Sequence, residues 1–379
     1  SRTRDQSLMT LYLDHAATTP GRPEAMAAFQ AAGFGNPSGI HRTARDSKNH
    51  LEDAREQAAA LIGASPREIV FTGGGSESDN LAVIGAMLAS DLRLVASPVE
   101  HDAVIESARF VERLGRDVKF VSVDHWGRVD PAEIAAATEE WPSVVSVMLA
   151  NNETGVIEPV RAVADVAHAR GAIVHTDAVQ AFVSEDIDVD ELGVDMLTLA
   201  AHKFGGPKGV GLLYVRSGTR LEPLVHGGGQ EWGLRSGTQN VPGIVAMVAA
   251  MHATVKDRER FNTDVGEARR RFEKRLMTEI EDLEINAPVD GRLVQHSHVR
   301  IPGVRNDTVL IRLDQEGVAA SAGSACQSGA ADVSHVLSAM GFGAARAREC
   351  FRFTFGWTTL PEDGDTAADA VLRAIGGER

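Results

Sequence analysis

The chain has 379 residues, 43% hydrophobic and 24% charged, enough for a substantial core laid out as two domains or one large domain with an appendage. Its 53 Asp and Glu outweigh 38 Lys and Arg, for a net charge of −15, and no dense basic cluster occurs, which disfavours direct binding to nucleic acid or an anionic membrane. The two cysteines, Cys326 and Cys350, exclude a disulfide framework, and without a CxxC pair they argue against a cysteine-built zinc or iron–sulfur site.

The first nine residues are polar and carry no apolar run of the kind a secretory signal needs. Met9, just before the strand-like Leu11-Tyr12-Leu13, reads as lying close to a natural start. A helix is expected over 49–62, where Leu51, Ala54, Ala58 and Leu61 recur at helical spacing before Gly63. Short β-branched runs then alternate with helical patterns. Strands are expected over 69–72, 92–97, 118–123, 144–150, 173–176, 196–199 and 211–215, with a helix over 159–170 closed by Gly171. Apolar strands alternating with helices imply a mostly parallel sheet covered on both faces. The longest apolar run, 144–150, is too short to span a bilayer.

Past Gly243 the texture changes. A long charged helix is expected over 255–280, a loop around 288–291, a strand over 296–301, a helix over 307–315 and a strand-like segment ending at Phe355. The fold class is therefore α/β, with a large domain over 14–252 and a smaller α/β domain formed by 1–13 and 253–379. In Cys350-Phe351-Arg352-Phe353-Thr354-Phe355 the aromatic residues alternate with the others, the pattern of a half-buried strand. Cys350 is expected to be structural. Arg352 falls on the face opposite the phenylalanines, where it can meet a carboxylate bidentately.

Ligands of open α/β sheets sit at the carboxyl ends of the strands, so polar residues that follow strands directly are the candidates. Asn151-Asn152-Glu153, Asp177 and His202-Lys203 each do so. Between a strand and a helix lies Gly73-Gly74-Gly75-Ser76, with Asp79 three residues on as a potential capping box. Backbone N–H groups at such a helix start attract an anion, most simply a phosphate, although for the motif taken alone a tight turn with a capped helix is the commoner explanation. No Walker loop and no GxGxxG after a strand are present. A lysine on a sheet edge, a carboxylate beside it and a phosphate-binding helix are the parts that pyridoxal phosphate needs. His296 and His298, two apart on a strand, lack ligand partners at metal spacing and are expected to be satisfied histidines.

The segments Tyr12-Leu13-Asp14-His15-Ala16-Ala17-Thr18-Thr19-Pro20, Phe34-Gly35-Asn36-Pro37-Ser38, Asn151-Asn152-Glu153-Thr154-Gly155 and His175-Thr176-Asp177-Ala178-Val179-Gln180 resemble the cysteine desulfurases, class V members of the fold-type I pyridoxal-phosphate enzymes. So do His202-Lys203-Phe204-Gly205-Gly206-Pro207-Lys208-Gly209, Arg235-Ser236-Gly237-Thr238 and Gly323-Ser324-Ala325-Cys326, in order along nearly the whole chain.

That resemblance implies an enzyme that uses pyridoxal 5'-phosphate to remove sulfur from L-cysteine, leaving L-alanine and a persulfide on Cys326. Lys203 would link to the cofactor and carry protons. Asp177 would pair with the ring nitrogen, Gln180 with the ring oxygen, and His101 would stack on the ring and assist proton transfer. Gly75, Ser76 and His202 would bind the phosphate, joined by Thr238 of the second subunit of a homodimer. Asn152 and Arg352 would hold the substrate carboxylate, with Asn36 nearby. One departure stands out. The family's usual phosphate-binding serine, three residues before the lysine, is Ala200 here, and Thr198 shares its strand parity.

Iron–sulfur assembly, tRNA thiolation and DNA phosphorothioation all draw on such enzymes. The cysteine and histidine patterns imply no metal, the free thiols suit a cytoplasmic location, and the acidic charge implies that sulfur passes to an acceptor or scaffold protein rather than directly to nucleic acid. The alternatives are a class V aminotransferase or selenocysteine lyase, which would share Lys203 and Asp177, and a non-catalytic scaffold. An aminotransferase has no need of the thiol at Cys326.

Overall fold

A computed structural model describes residues 11–323 and 333–376. Its strands are β1 (Leu11–Tyr12), β2 (Ile69–Thr72), β3 (Arg93–Ala96), β4 (Val118–Phe120), β5 (Ser143–Ser146), β6 (Ile173–Asp177), β7 (Met196–Ala200), β8 (Gly211–Val215), β9 (Glu284–Ile285), β10 (His296–Arg300), β11 (Val318–Ala319) and β12 (Cys350–Thr354). The main sheet has seven strands in the order β2-β8-β7-β6-β5-β3-β4. Only β8 runs against its neighbours; the other pairings are parallel. β5, β7 and β8 are buried throughout, because helices cover both faces of the sheet.

A second, antiparallel sheet has the order β12-β10-β9, and β1 pairs with β11 beside it. Its core gathers Leu13, Phe351, Phe353 and Phe355 with residues from the helices around it. The helix expected over 255–280 is longer than its sequence suggests. It runs unbroken from Val241 to Glu279, capped by Asn240 Oδ1, which accepts from Gly243 N at 3.2 Å. Pro242 and Gly243 fall in its first turn, where the lost N–H has no intrahelical partner to miss. Ile244, Met247 and Met251 pack in the core of the large sheet, and Phe261, Val265 and Phe272 in the second core.

Two other expectations are corrected. The helix placed over 49–62 begins earlier, at Arg42, and ends at Ala60. The strand placed over 144–150 is regular only over Ser143–Ser146; beyond it Val147 N and Leu149 N still donate to His175 O and Asp177 O at 3.1 and 2.8 Å, and Ala150 bridges Ile157. Among the described residues no helix is long and apolar enough to cross a membrane.

Candidate active site

Adjacent parallel strands β6 and β7 bring Asp177 and Lys203 to one edge of the large sheet. Asp177 ends β6, and Lys203 closes a single 3-10 turn, Ala201–Lys203, that follows β7. Asp177 is 5% exposed, and its Oδ1 accepts from Val179 N at 2.9 Å. Burial raises its carboxyl above the ordinary range, while the charges of His101 and Lys203 pull it back. Asp79, buried beside it, is raised further, by burial first and then by the like charge of Asp177. His175 completes this floor. One ring nitrogen meets Ser146 Oγ at 2.9 Å, the other meets Thr198 Oγ1 at 3.1 Å and lies 3.6 Å from Asp79 Oδ1. Burial pushes the His175 imidazole down to about 3, so it is neutral.

Asp79 therefore does not cap its helix, against the reading of a capping box. The helix Gly75–Ala89 starts from Gly74 without a side-chain cap, and Asp79 turns inward instead. Glu77 binds the loop, accepting from Gly73 N at 2.9 Å and from Arg235 Nε at 2.7 Å. Gly74, at φ +148°, adopts a backbone shape open to glycine, and a Cβ on Gly211 of β8 would lie 2.6 Å from its carbonyl carbon. Ser76 is exposed on the first turn, and Thr238 is exposed on the loop that carries Arg235. A Cβ on Gly75 would meet the Ala200 methyl at 3.2 Å, which puts Ala200 directly under this corner. Thr198 does not stand in for the missing serine, since its hydroxyl is engaged with His175.

The segment 14–19 crosses the strand ends. Lys203 Nζ donates to Ala17 O at 3.0 Å and also to Ala16 O, which accepts in addition from Gln180 Nε2 at 2.9 Å. Burial, followed by the charge of Arg352, lowers the Lys203 amine to about 8, against the opposing pull of Asp177 and Asp14. His202 meets Thr18 Oγ1 at 3.1 Å and is pushed down to about 4, chiefly by burial and then by Lys203 and Lys208. His101 sits at the start of the helix Asp102–Arg113, where its Nδ1 accepts from Ala103 N at 3.1 Å; that bond assigns the neutral ring's proton to Nε2.

Arg352 projects from β12, which is buried on both faces rather than half-buried. Its Nη1 donates to Asn152 O at 3.1 Å and Gly323 O at 3.2 Å, and its Nη2 donates to Asp14 Oδ1 at 2.7 Å. Asn152 Oδ1 is buried without a hydrogen-bond partner. Asn36 lies on an exposed turn, its Oδ1 accepting from Ser38 N at 3.0 Å. Cys350 is fully buried, and burial pushes its thiol up to about 12, an inert structural cysteine. Cys326 lies outside the described residues. The sequence pattern gave no role to Asp14 or His175, and gave Asp79, between them, only that of a helix cap. Asp14 and His175 sat in quoted motifs, but the tertiary pairings that engage them leave no mark on local sequence.

The family model for "Aminotransferase class-V" matches residues 11–363. Cysteine desulfurase IscS of Dictyoglomus turgidum is 42% identical over 371 residues, spanning 96% of this chain and 94% of that protein. Among solved structures, a NifS-like protein superposes with a TM-score of 0.90 at 33% identity, covering 97% of this chain and all (100%) of that one. A structure described as SspA in complex with cysteine superposes at 0.80 with 34% identity, covering 93% of this chain and 99% of that one.

Proposed function

This chain belongs to the class-V aminotransferase family and is a cysteine desulfurase, and on that premise we propose how its own residues remove sulfur from L-cysteine. Enzymes of this family depend on pyridoxal 5'-phosphate, which when bound supplies an electron sink beside the substrate's α-carbon. The residues at the strand ends fit that group. A lysine amine lowered to about 8 is nucleophilic near neutral pH, and the buried Asp177 carboxyl suits a protonated ring nitrogen. Asn152 Oδ1, buried and unpartnered, suits a donor from a ligand. Gln180 would serve the ring oxygen, and Gly75, Ser76 and His202 the phosphate, with Thr238 completing the site across a homodimer.

In this reading Arg352 and Asn152 hold the substrate carboxylate, with Asn36 near the entrance. Lys203 Nζ takes the α-proton, and His101 Nε2, the protonated ring nitrogen, gives or receives a proton beside it. The Cys326 thiolate then attacks the substrate sulfur. A sulfur–sulfur bond forms as the carbon–sulfur bond breaks, and the carbon that loses sulfur gains a proton. L-Cysteine and one thiol thus become L-alanine and one persulfide, balanced without any external oxidant or reductant.

The observation that carries this reading is the convergence of Asp177 and the lowered Lys203 amine on adjacent strand ends. The net charge of −15 favours an acceptor or scaffold protein over nucleic acid as the next carrier of sulfur, in a reducing cytoplasm, with iron–sulfur assembly as one outlet. Cys326→Ser is expected to abolish sulfide and persulfide formation while the bound cofactor still changes its absorbance on adding L-cysteine. Unchanged sulfur release would overturn the role of Cys326. Lys203→Ala is expected to lose the covalent attachment of cofactor, measured as release of the near-ultraviolet absorbance of the pyridoxyl ring on denaturation and gel filtration after borohydride reduction.

A further inference from the structure

The guanidinium of Arg352 is almost fully engaged before any substrate arrives. Nη1 donates to two backbone carbonyls, those of Asn152 and Gly323. Nε is buried without a partner, and Nη2 holds Asp14 Oδ1 at 2.7 Å. A carboxylate that binds Arg352 bidentately must therefore use Nε and Nη2, the edge on which Asp14 already acts. Arg352 has a side chain only 6% exposed, whereas that of Asp14 is 24% exposed, so the aspartate is the more accessible member of the pair.

The backbone of Asp14 is fixed. It forms a bridge with Thr354, and its carbonyl accepts from Ala17 N at 3.1 Å and from the Tyr12 hydroxyl at 3.1 Å. The aspartate thus cannot retreat by moving its chain without disturbing Ala16 and Ala17, whose carbonyls hold Lys203.

We propose that Asp14 is the resident counter-ion of Arg352, a positioning residue that competes with the α-carboxylate of amino acids and so limits how tightly substrate and product bind. With the site empty, Asp14 keeps the guanidinium oriented and its charge balanced. When an amino acid enters, its carboxylate shares or takes Nη2, and the two like charges oppose each other. The α-carboxylate of the product is held less tightly for the same reason, which favours its departure. This inference rests on the reading of Arg352 as the carboxylate-binding residue.

The test titrates the cofactor absorbance of the holoenzyme with two probes, L-alanine and ethylamine, which differ by the carboxylate alone. Asp14→Asn keeps a hydrogen-bond acceptor for Nη2 and removes the charge. It is expected to tighten L-alanine about fivefold, the scale of a partly exposed ion pair, and to leave ethylamine unchanged. Asp14→Ser, which also removes the charge, is expected to act in the same direction, and thermal melts of both variants check that they fold. Arg352→Leu is expected to weaken L-alanine selectively. Should Arg352→Leu lower L-alanine affinity while both Asp14 variants leave it unchanged or weaker, the counter-ion role is overturned and the reading of Arg352 stands. Equal tightening of both probes in the Asp14 variants also overturns it, because the effect then lies on the amine. L-Alanine binding untouched by Arg352→Leu overturns the reading of Arg352, and the counter-ion role with it.

Discussion

At the carboxyl ends of β6 and β7, Asp177, Asp79 and His175 are buried and make their hydrogen bonds to neutral groups: Val179 N, Thr198 and Ser146. On β12, by contrast, the buried guanidinium of Arg352 is held by two carbonyls and a carboxylate. Two carboxyls kept out of water without a directly bonded cation are a standing cost to the folded protein, and they are relieved by anything that brings positive charge to them. The Arg352 site is already satisfied, so a ligand there exchanges one carboxylate for another. In the proposed reading, one region receives a group that stays, and the other trades partners at each turnover.

Removing Asp177 is the strongest way to break this contrast. Asp177→Asn is expected to lower kcat by about 10²–10³-fold, because the preorganised charge is lost. The same substitution removes a buried carboxyl whose ionised form burial disfavours, so the cofactor-free protein is expected to melt at an unchanged or higher temperature. Arg352→Leu should do the opposite to the cofactor-free fold. It strips partners from Asn152 O, Gly323 O and Asp14, and a loss of about 1–3 kcal/mol in chemical denaturation is expected. If both variants destabilise the cofactor-free protein alike, the two regions do not differ in the way described.

Lys203 stands between the two regions and reports on both. Its amine, lowered to about 8, is mostly protonated below that pH, with a neutral fraction that falls about tenfold per unit, and mostly neutral above it. Trapping of pyridoxal 5'-phosphate by the cofactor-free protein, fixed with borohydride, is expected to rise about tenfold per pH unit below 8 and to level off above it. The charge of Arg352 lowers this amine and that of Asp177 raises it. The midpoint should therefore move up in Arg352→Leu and down in Asp177→Asn. Shifts of the same sign in both would remove Lys203 as the meeting point of the two fields.

Much of the large sheet was legible because its strands are short apolar runs between turn residues. β2 and β8 fall on the residues expected, 69–72 and 211–215. The run over 144–150 misled only in length: the regular ladder stops at Ser146, and Val147 to Ala150 leave it with isolated bonds to β6 and a bridge to Ile157. The long helix was expected only from 255, where its charged stretch begins, and its apolar first turns from Val241 were missed, although Pro242 and Gly243 are both tolerated in a first turn. At the site, residue types that carry chemistry by themselves, such as Lys203 and Asp177, were legible from their places after strands. Asp79 followed a local capping pattern that a tertiary pairing overrode. Asp14 meets Arg352 across 338 positions of sequence, a partnership that periodicity and spacing do not encode.

Ala200 tests the smallest part of the contrast, whether the region that keeps its ligand is fully built. Its methyl packs against Gly75 at the start of the helix Gly75–Ala89, where the resemblance places a phosphate, and Thr198 is too engaged with His175 to help. A hydroxyl added at Ala200 would sit beside the helix start with one more donor for an anionic oxygen. Ala200→Ser is expected to slow loss of the cofactor and to tighten its binding about tenfold, the lower end of what one hydrogen bond to a charged oxygen contributes. Equilibrium dialysis against several concentrations of pyridoxal 5'-phosphate in phosphate-free buffer measures this. The hydroxyl should not change the pH midpoint of Lys203, since it adds no charge. An affinity unchanged by the serine would mean that Gly75, Ser76, His202 and the macrodipole of the helix already satisfy the phosphate, and that Ala200 is a packing choice forced by the closeness of Gly75.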